Sequence, residues 1–108
     1  MNIQFYAKNI ELTAGLREAF KKKLNHLKKY KGKLRLLDVR VDLSRDRHHK
    51  KGDVFRVEVN VDLPDKVLRV AEAGANMLST LDMVSKKLER QARDEKDIIV
   101  SKKKINIS

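Results

Sequence analysis

Residues 36–63 read LLDVRVDLSRDRHHKKGDVFRVEVNVDL. Two runs alternate between apolar and polar residues, and a polar, basic stretch separates them. In the first run Leu37, Val39, Val41 and Leu43 share one side, with Asp38, Arg40 and Asp42 on the other. In the second, Phe55, Val57, Val59, Val61 and Leu63 share a side. Alternation of this kind marks a strand with one buried face and one wet face. The pair therefore predicts an antiparallel hairpin closed by the loop RDRHHKKG. The outward charges suggest a register, Asp42 opposite Arg56 and Arg40 opposite Glu58, because opposite charges across a ladder are favourable and like charges are not.

The flanking sequence fills in the remaining elements. Residues 2–8, NIQFYAK, alternate with Ile3, Phe5 and Ala7 on one side, which predicts a strand before the hairpin. Beyond the hairpin, Pro64-Asp65 supplies a tight turn, and KVLRVAEA returns as a fourth strand with Leu68 and Val70 inward and Gly74 closing it. Thr13 is a candidate N-cap for a helix carrying Leu16, Phe20, Leu24 and Leu27 at helical spacing, with Gly32 as its stop. A second helix is predicted from Ala75 or Asn76 to about Glu95, with Met77, Leu81, Val84, Leu88 and Ala92 three and four residues apart. Residues 1–95 then form one domain, and 96–108 a basic C-terminal tail expected to be mobile or extended. The order β-α-β-β-β-α makes an α+β two-layer sandwich, a four-stranded sheet with two helices on one face. Its other sheet face is open to water.

A chain of 108 residues is one domain, long enough to bury roughly two thirds of its unfolded surface. It holds no cysteine, so it has neither a disulfide framework nor a thiolate metal site. No apolar run approaches a membrane span, and the first residues lack the layout of a secretory signal, so a cytoplasmic protein with no membrane partner is expected. The net charge of +11 is distributed unevenly. From Arg17 to Arg35 nine Lys/Arg stand against one acid, and the last eleven residues carry three lysines and no acid. The rest of the chain is close to neutral.

On the first helix Lys22, His26 and Lys29 lie opposite the leucines, with Lys21, Lys23 and Lys28 on the flanks. On the second, Lys86, Arg90 and Arg93 recur at i, i+4 and i+7 opposite the apolar stripe. Two basic stripes on one layer are the footprint of a polyanion-binding face. Lysine acts as a point charge on phosphate, so recognition of backbone shape with strong salt dependence is expected. Readers that stack bases on a sheet face need exposed aromatics, and Tyr6 is the one outward strand aromatic here.

Other chemistries find less support. Asp38, Asp42, Glu58 and Asp62 project from the open sheet face and would suit a magnesium-dependent nuclease, but Arg40, Arg56 and Arg69 are interleaved with them and oppose a cation. His48 and His49 are adjacent, so their side chains diverge, and no third ligand lies near in sequence. Neither a glycine-rich phosphate loop nor a catalytic motif is present. No cofactor, no metal and no small-molecule substrate is expected.

The element order, with KNIELTAGLREAF at the first helix and LDMVSKKLERQ in the second, resembles the ribosome hibernation promoting factor family over about residues 1–95. This family includes the short hibernation factors and the ribosome-associated translation inhibitors, once called sigma-54 modulation proteins. The resemblance implies a double-stranded-RNA-binding-domain-like fold. It also implies binding to 16S rRNA of the small ribosomal subunit near the decoding centre, over the mRNA channel and tRNA sites. Lys87, Arg90 and Gln91 match the family pattern in the second helix, and Arg17 matches in the first. Asn76-Met77-Leu78 departs from the family's Asp-Met-Tyr, and Lys86 stands where an acid is common. Long forms carry a second, dimerising domain; with the chain ending at Ser108, a short form or an N-terminal fragment is expected, unable to pair ribosomes through a domain of its own.

The expected function is a non-catalytic inhibitor, monomeric off the ribosome, that keeps idle ribosomes inactive. Lys22, Lys23, Lys28 and Lys29 of the first helix would neutralise rRNA phosphates together with Lys86, Lys87, Arg90 and Arg93 of the second. The alternatives are a general duplex-RNA-binding module and the sheet-face nuclease.

Overall fold

Each alternating segment becomes a strand and each 3.6-residue stripe a helix. The computed structural model describes residues 2–30, 38–47 and 52–105, with the side chains of 29–30 and 99–105 left out. Strand β1 (Asn2–Lys8) leads through Asn9, which takes the left-handed backbone conformation that asparagine tolerates, into helix α1 (Ala14–Leu24). Strands β2 (Asp38–Asp46), β3 (Val54–Asp62) and β4 (Val67–Gly74) follow, then helix α2 (Met77–Ile105). The sheet order is β1-β2-β3-β4, with β1 parallel to β2 and the other neighbours antiparallel. A parallel pair needs a long crossover, and α1 is that crossover.

One sheet face meets both helices. Val39, Val41, Leu43, Val57, Val59, Val61, Leu68 and Val70 bury against Phe20, Leu24 and Leu27 from one side and Met77, Leu81, Val84, Leu88 and Ala92 from the other. Full burial of a large aliphatic side chain is worth roughly 1.5–3 kcal/mol, so this layer holds the fold. Phe5 meets Phe20 edge-on, centroids 5.9 Å apart. The predicted N-cap forms, Thr13 Oγ1 accepting from Leu16 N at 3.1 Å, and Asn76 caps the second helix in the same way, its Oδ1 accepting from Ser79 N at 3.0 Å.

Three expectations are corrected. The hairpin register sets Asp42 opposite Glu58, Arg40 opposite Asn60 and Ser44 opposite Arg56, two residues away from the charge-matched pairing. The opposed carboxylates find cations elsewhere: Arg40 Nε reaches along its own strand to Asp42 at 3.1 Å, and Arg69 Nε reaches from β4 to Glu58 at 3.3 Å. Direct opposition is the wrong criterion where arginine can span the diagonal. The α-helical part of the predicted helix ends at Leu24, and the winding tightens into a 3-10 helix from Asn25 to Tyr30 where one continuous α-helix was expected. In that tighter winding residues three apart eclipse, so Leu27 stays in line with Leu24 and both remain buried. Gly32 and Leu37 lie outside the described residues.

Helix α2 does not stop near Glu95. It runs through Ile105, so the backbone of residues 96–105 is helical, not extended. No glycine or proline occurs after Gly74 to break it, and lysines near a helix C-terminus favour the dipole. Its 29 residues span roughly 43 Å at 1.5 Å per residue, whereas a nine-residue strand covers about 30 Å. Ala92 is its last buried residue among those described, and the final turns extend past the core.

The junction between β4 and α2 is tight. A Cβ on Gly74 would sit 2.7 Å from Thr80 Oγ1, and that hydroxyl, itself fully buried, is held by donating to Asn76 O at 2.7 Å. Gly74→Ala is therefore expected to destabilise the protein by about 1–3 kcal/mol through overpacking, read as a lower urea midpoint at unchanged m. An unchanged midpoint would show that Thr80 turns aside freely.

Candidate nucleic-acid interface

The last turn of helix α1 carries three consecutive lysines, and consecutive positions on a helix diverge by roughly 100°. They therefore serve different surfaces. Lys23 turns toward α2, where its Nζ lies 2.9 Å from Asp82 Oδ1. Lys86 Nζ approaches the other oxygen of the same carboxylate at 3.2 Å. Ser85 adds a hydroxyl bond to the Lys23 carbonyl at 3.3 Å, so side chain and backbone both tie α1 to α2 along this seam. The ammonium of Lys23, and then that of Lys86, hold the Asp82 carboxyl below its ordinary value.

Lys21, Lys22 and Lys28 face the other way. With Gly15, Ala19 and Asn25 of the helix and Asn2 and Ile3 of β1 they line a groove of about 810 Å³. Glu18 is its one acid. Small residues at Gly15 and Ala19 let an incoming strand approach the helix closely, and the amides of Asn2 and Asn25 add neutral donors.

The cations of α2 also divide. Lys86, Arg90 and Arg93 are exposed on the outer side, and Arg90 and Arg93 form no ion pair among the described residues. Lys87 and Gln91 lie on the flank toward β4. Lys87 Nζ pairs with Glu72, and Gln91 Nε2 donates to the Arg69 carbonyl at 3.3 Å. Lys66 of the β3–β4 turn reaches Glu95 at 2.8 Å, so three contacts fasten α2 along the edge strand. Arg17 is exposed, its guanidinium 6.0 Å from the Phe5 ring centroid. Lys29 lies outside the described side chains, as do Lys102 to Lys104, whose backbone is helical.

On the opposite sheet face the three arginines of the strands are paired. Besides the Arg40–Asp42 and Arg69–Glu58 pairs, Arg56 Nε meets Asp46 at 3.2 Å, and Arg40 lies 4.3 Å over the Tyr6 ring. A shallow concavity of about 630 Å³ crosses it, floored by Ser44, Ala71 and Ala73. Of the four sheet acids expected to pair with arginines, Asp42 and Glu58 do so, whereas Asp38 and Asp62 form no ion pair among the described residues and Arg56 takes Asp46 instead. No group of three or more metal-ligating side chains is present among the described residues. His48 and His49 lie outside them. Among the same residues no helix is long and apolar enough to cross a membrane.

With basic surfaces gathered on the helical layer, the comparisons with known proteins become informative. The model of the sigma 54 modulation protein / S30EA ribosomal protein family matches residues 3–100. The chain belongs to this family. A relative from Deinococcus radiodurans named ribosome hibernation promotion factor is 36% identical over 92 residues, 83% of this chain and 46% of that protein. One of the same name from Bacillus subtilis is 32% identical over 98 residues, 89% of this chain and 49% of its own. The chain thus spans about half the length of these curated relatives. The N-terminal domain of Thermus thermophilus Protein Y superposes with a TM-score of 0.72 at 31% identity, covering 87% of this chain and 98% of that one. A ribosomal subunit interface protein from Coxiella burnetii gives 0.75 at 24% identity over 90% and 99%, a likeness of fold. The family and the α+β fold stand as the sequence resemblance implied.

Sequence reading had not singled out Asp82 or Glu72, although an acid four residues before a lysine on a helix, as Asp82 precedes Lys86, is a usable signal. Lys21 had appeared only as a flanking charge. Asp82 also gives a direct check on the seam. Because its folded value is lowered, the bridge stabilises the fold above the ordinary value of 3.8 and is lost as pH falls through the folded one. An NMR titration of the Asp82 carboxyl is expected to give a midpoint below 3.8. A midpoint at or above it would mean that the two lysines do not hold the carboxylate in solution.

Proposed function

We propose that this chain is a non-catalytic ribosome-binding factor. It docks on small-subunit 16S rRNA near the decoding centre, blocks mRNA and tRNA access, and keeps idle cytoplasmic ribosomes inactive. The observation that carries the reading is the asymmetry of charge. The helical layer presents Lys21, Lys22, Lys28, Arg90 and Arg93 with no ion pair among the described residues, while the sheet arginines Arg40, Arg56 and Arg69 are each paired with a carboxylate. Relatives named ribosome hibernation promotion factor support a ribosomal target.

The mechanism is electrostatic and steric. Exposed lysines and arginines release counterions from the rRNA backbone, and the rigid sandwich then occupies space that mRNA and tRNA need. Arg90 and Arg93 are the foremost contacts on α2, joined by Lys86 once it shares its charge between Asp82 and phosphate. Lys22 and Lys28 act from the α1–β1 groove. Lys87 and Gln91 have a different part from the one the family pattern suggests: tied to β4, they fix the angle of α2, and reversing Lys87 would set two acids against each other at Glu72.

Co-sedimentation with purified small subunits over a salt series tests the reading. Saturation near one copy per subunit is expected, resistant to excess duplex RNA. With roughly six to ten phosphate contacts, affinity should fall about a thousandfold or more over a modest salt rise. The double reversal Arg90→Glu with Arg93→Glu breaks no ion pair among the described residues, so it should remove binding while leaving the melting temperature nearly unchanged. Wild-type binding by that variant would show that the face is wrong. Free displacement by duplex RNA would reduce the protein to a general RNA-binding module.

A further inference from the structure

An acid on the seam between two basic helices needs a reason. Asp82 is partly exposed on the seam between α1 and α2, where it weakens attraction to any polyanion. If RNA affinity alone were favoured, an amide there would serve better. Yet its two oxygens each take a different ammonium, Lys23 at 2.9 Å from α1 and Lys86 at 3.2 Å from α2. Lysine carries three N–H donors, so each ammonium keeps donors free after this contact. Without the carboxylate the same two side chains would repel each other and sample many rotamers.

We infer that Asp82 is the selectivity-determining residue of the RNA-binding face: it fixes Lys23 and Lys86 as a spaced pair across the helix seam and repels backbones that do not match that spacing. The inference rests on the RNA-binding reading above. Asp82 is a positioning residue, since it acts through the two lysines. The Ser85 bond to the Lys23 carbonyl keeps the helices in register, so the pair has a fixed mount. A rigid array of phosphates, as on a folded rRNA surface, can approach both ammoniums from outside the carboxylate. A generic duplex that slides and reorients meets the carboxylate in most of its poses. Discrimination by a repulsive element is how binding surfaces reject near matches.

The test compares affinities of the full chain for small ribosomal subunits and for a short RNA duplex in the same buffer. Asp82→Asn raises the net charge by one, so its affinity for the duplex should rise about threefold or more. Its affinity for subunits should fall, so that the preference for subunits drops roughly tenfold. Asp82→Glu, which keeps the charge on a longer stem, should recover much of that preference. Lys86→Gln leaves the Lys23–Asp82 bridge between the helices in place. It should lose more affinity for subunits than for duplex, which holds the inference to account even if Asp82→Asn folds poorly. Equal gains by Asp82→Asn on both RNAs would overturn it, leaving Asp82 as a mere screening charge. A wild-type chain with no preference for subunits would instead overturn the ribosome reading itself.

Discussion

The apolar stripe of α2 is the constraint on which the rest of the molecule depends. Met77, Leu81, Val84, Leu88 and Ala92 must all face the sheet, because leaving such side chains in water would cost more than surface charges return. That requirement fixes the rotation of the helix. Once it is fixed, Lys86, Arg90 and Arg93 have to point outward, Asp82 and Ser85 toward α1, and Lys87, Gln91 and Glu95 toward β4. Polar contacts on the two flanks refine an orientation that burial has chosen. Function is thus set by the same periodicity that sets the fold.

That periodicity is why so much was legible in the amino-acid sequence. Period-two runs such as Val39-Val41-Leu43 and period-3.6 runs such as Leu81-Val84-Leu88 carry their burial in one dimension, and among the described residues so assigned all but Ala7, near the end of edge strand β1, are at least partly buried. What one dimension does not carry is the reach of side chains in three. The β2–β3 register was missed because Arg40 and Arg69 find carboxylates along and across the sheet, which a list of directly opposed residues leaves out. The end of α1 was missed because a 3-10 turn holds Leu27 in place as well as an α-turn does. The length of α2 was missed because Ile98-Ile99-Val100 reads as strand-like, and a helix already nucleated over five turns carries on through weak formers.

The candidate interface was legible as a layer but not as a layout. Charge counting located the basic helices correctly. It could not separate a lysine that meets solvent from one already engaged by a neighbouring element. Lys86 and Lys87 make the point: adjacent in sequence, one shares Asp82 with α1 and stands at the seam, while the other is bound to Glu72 on the edge strand. Only the placement of α1 and β4 on opposite sides of α2 distinguishes them.

The pairing of the sheet arginines has a consequence for valence. A basic protein with adhesive surfaces all round would link one polyanion to another and, at cellular concentrations of RNA, drive network formation and precipitation. Here the arginines of the sheet are already matched by Asp42, Asp46 and Glu58. On the proposed RNA-binding reading, the molecule would adhere chiefly through its helical layer. Such a particle terminates where it lands: it can coat a surface in a single layer without recruiting a second one. A chain carrying a net charge of +11 can then accumulate to high occupancy without becoming a condensing agent.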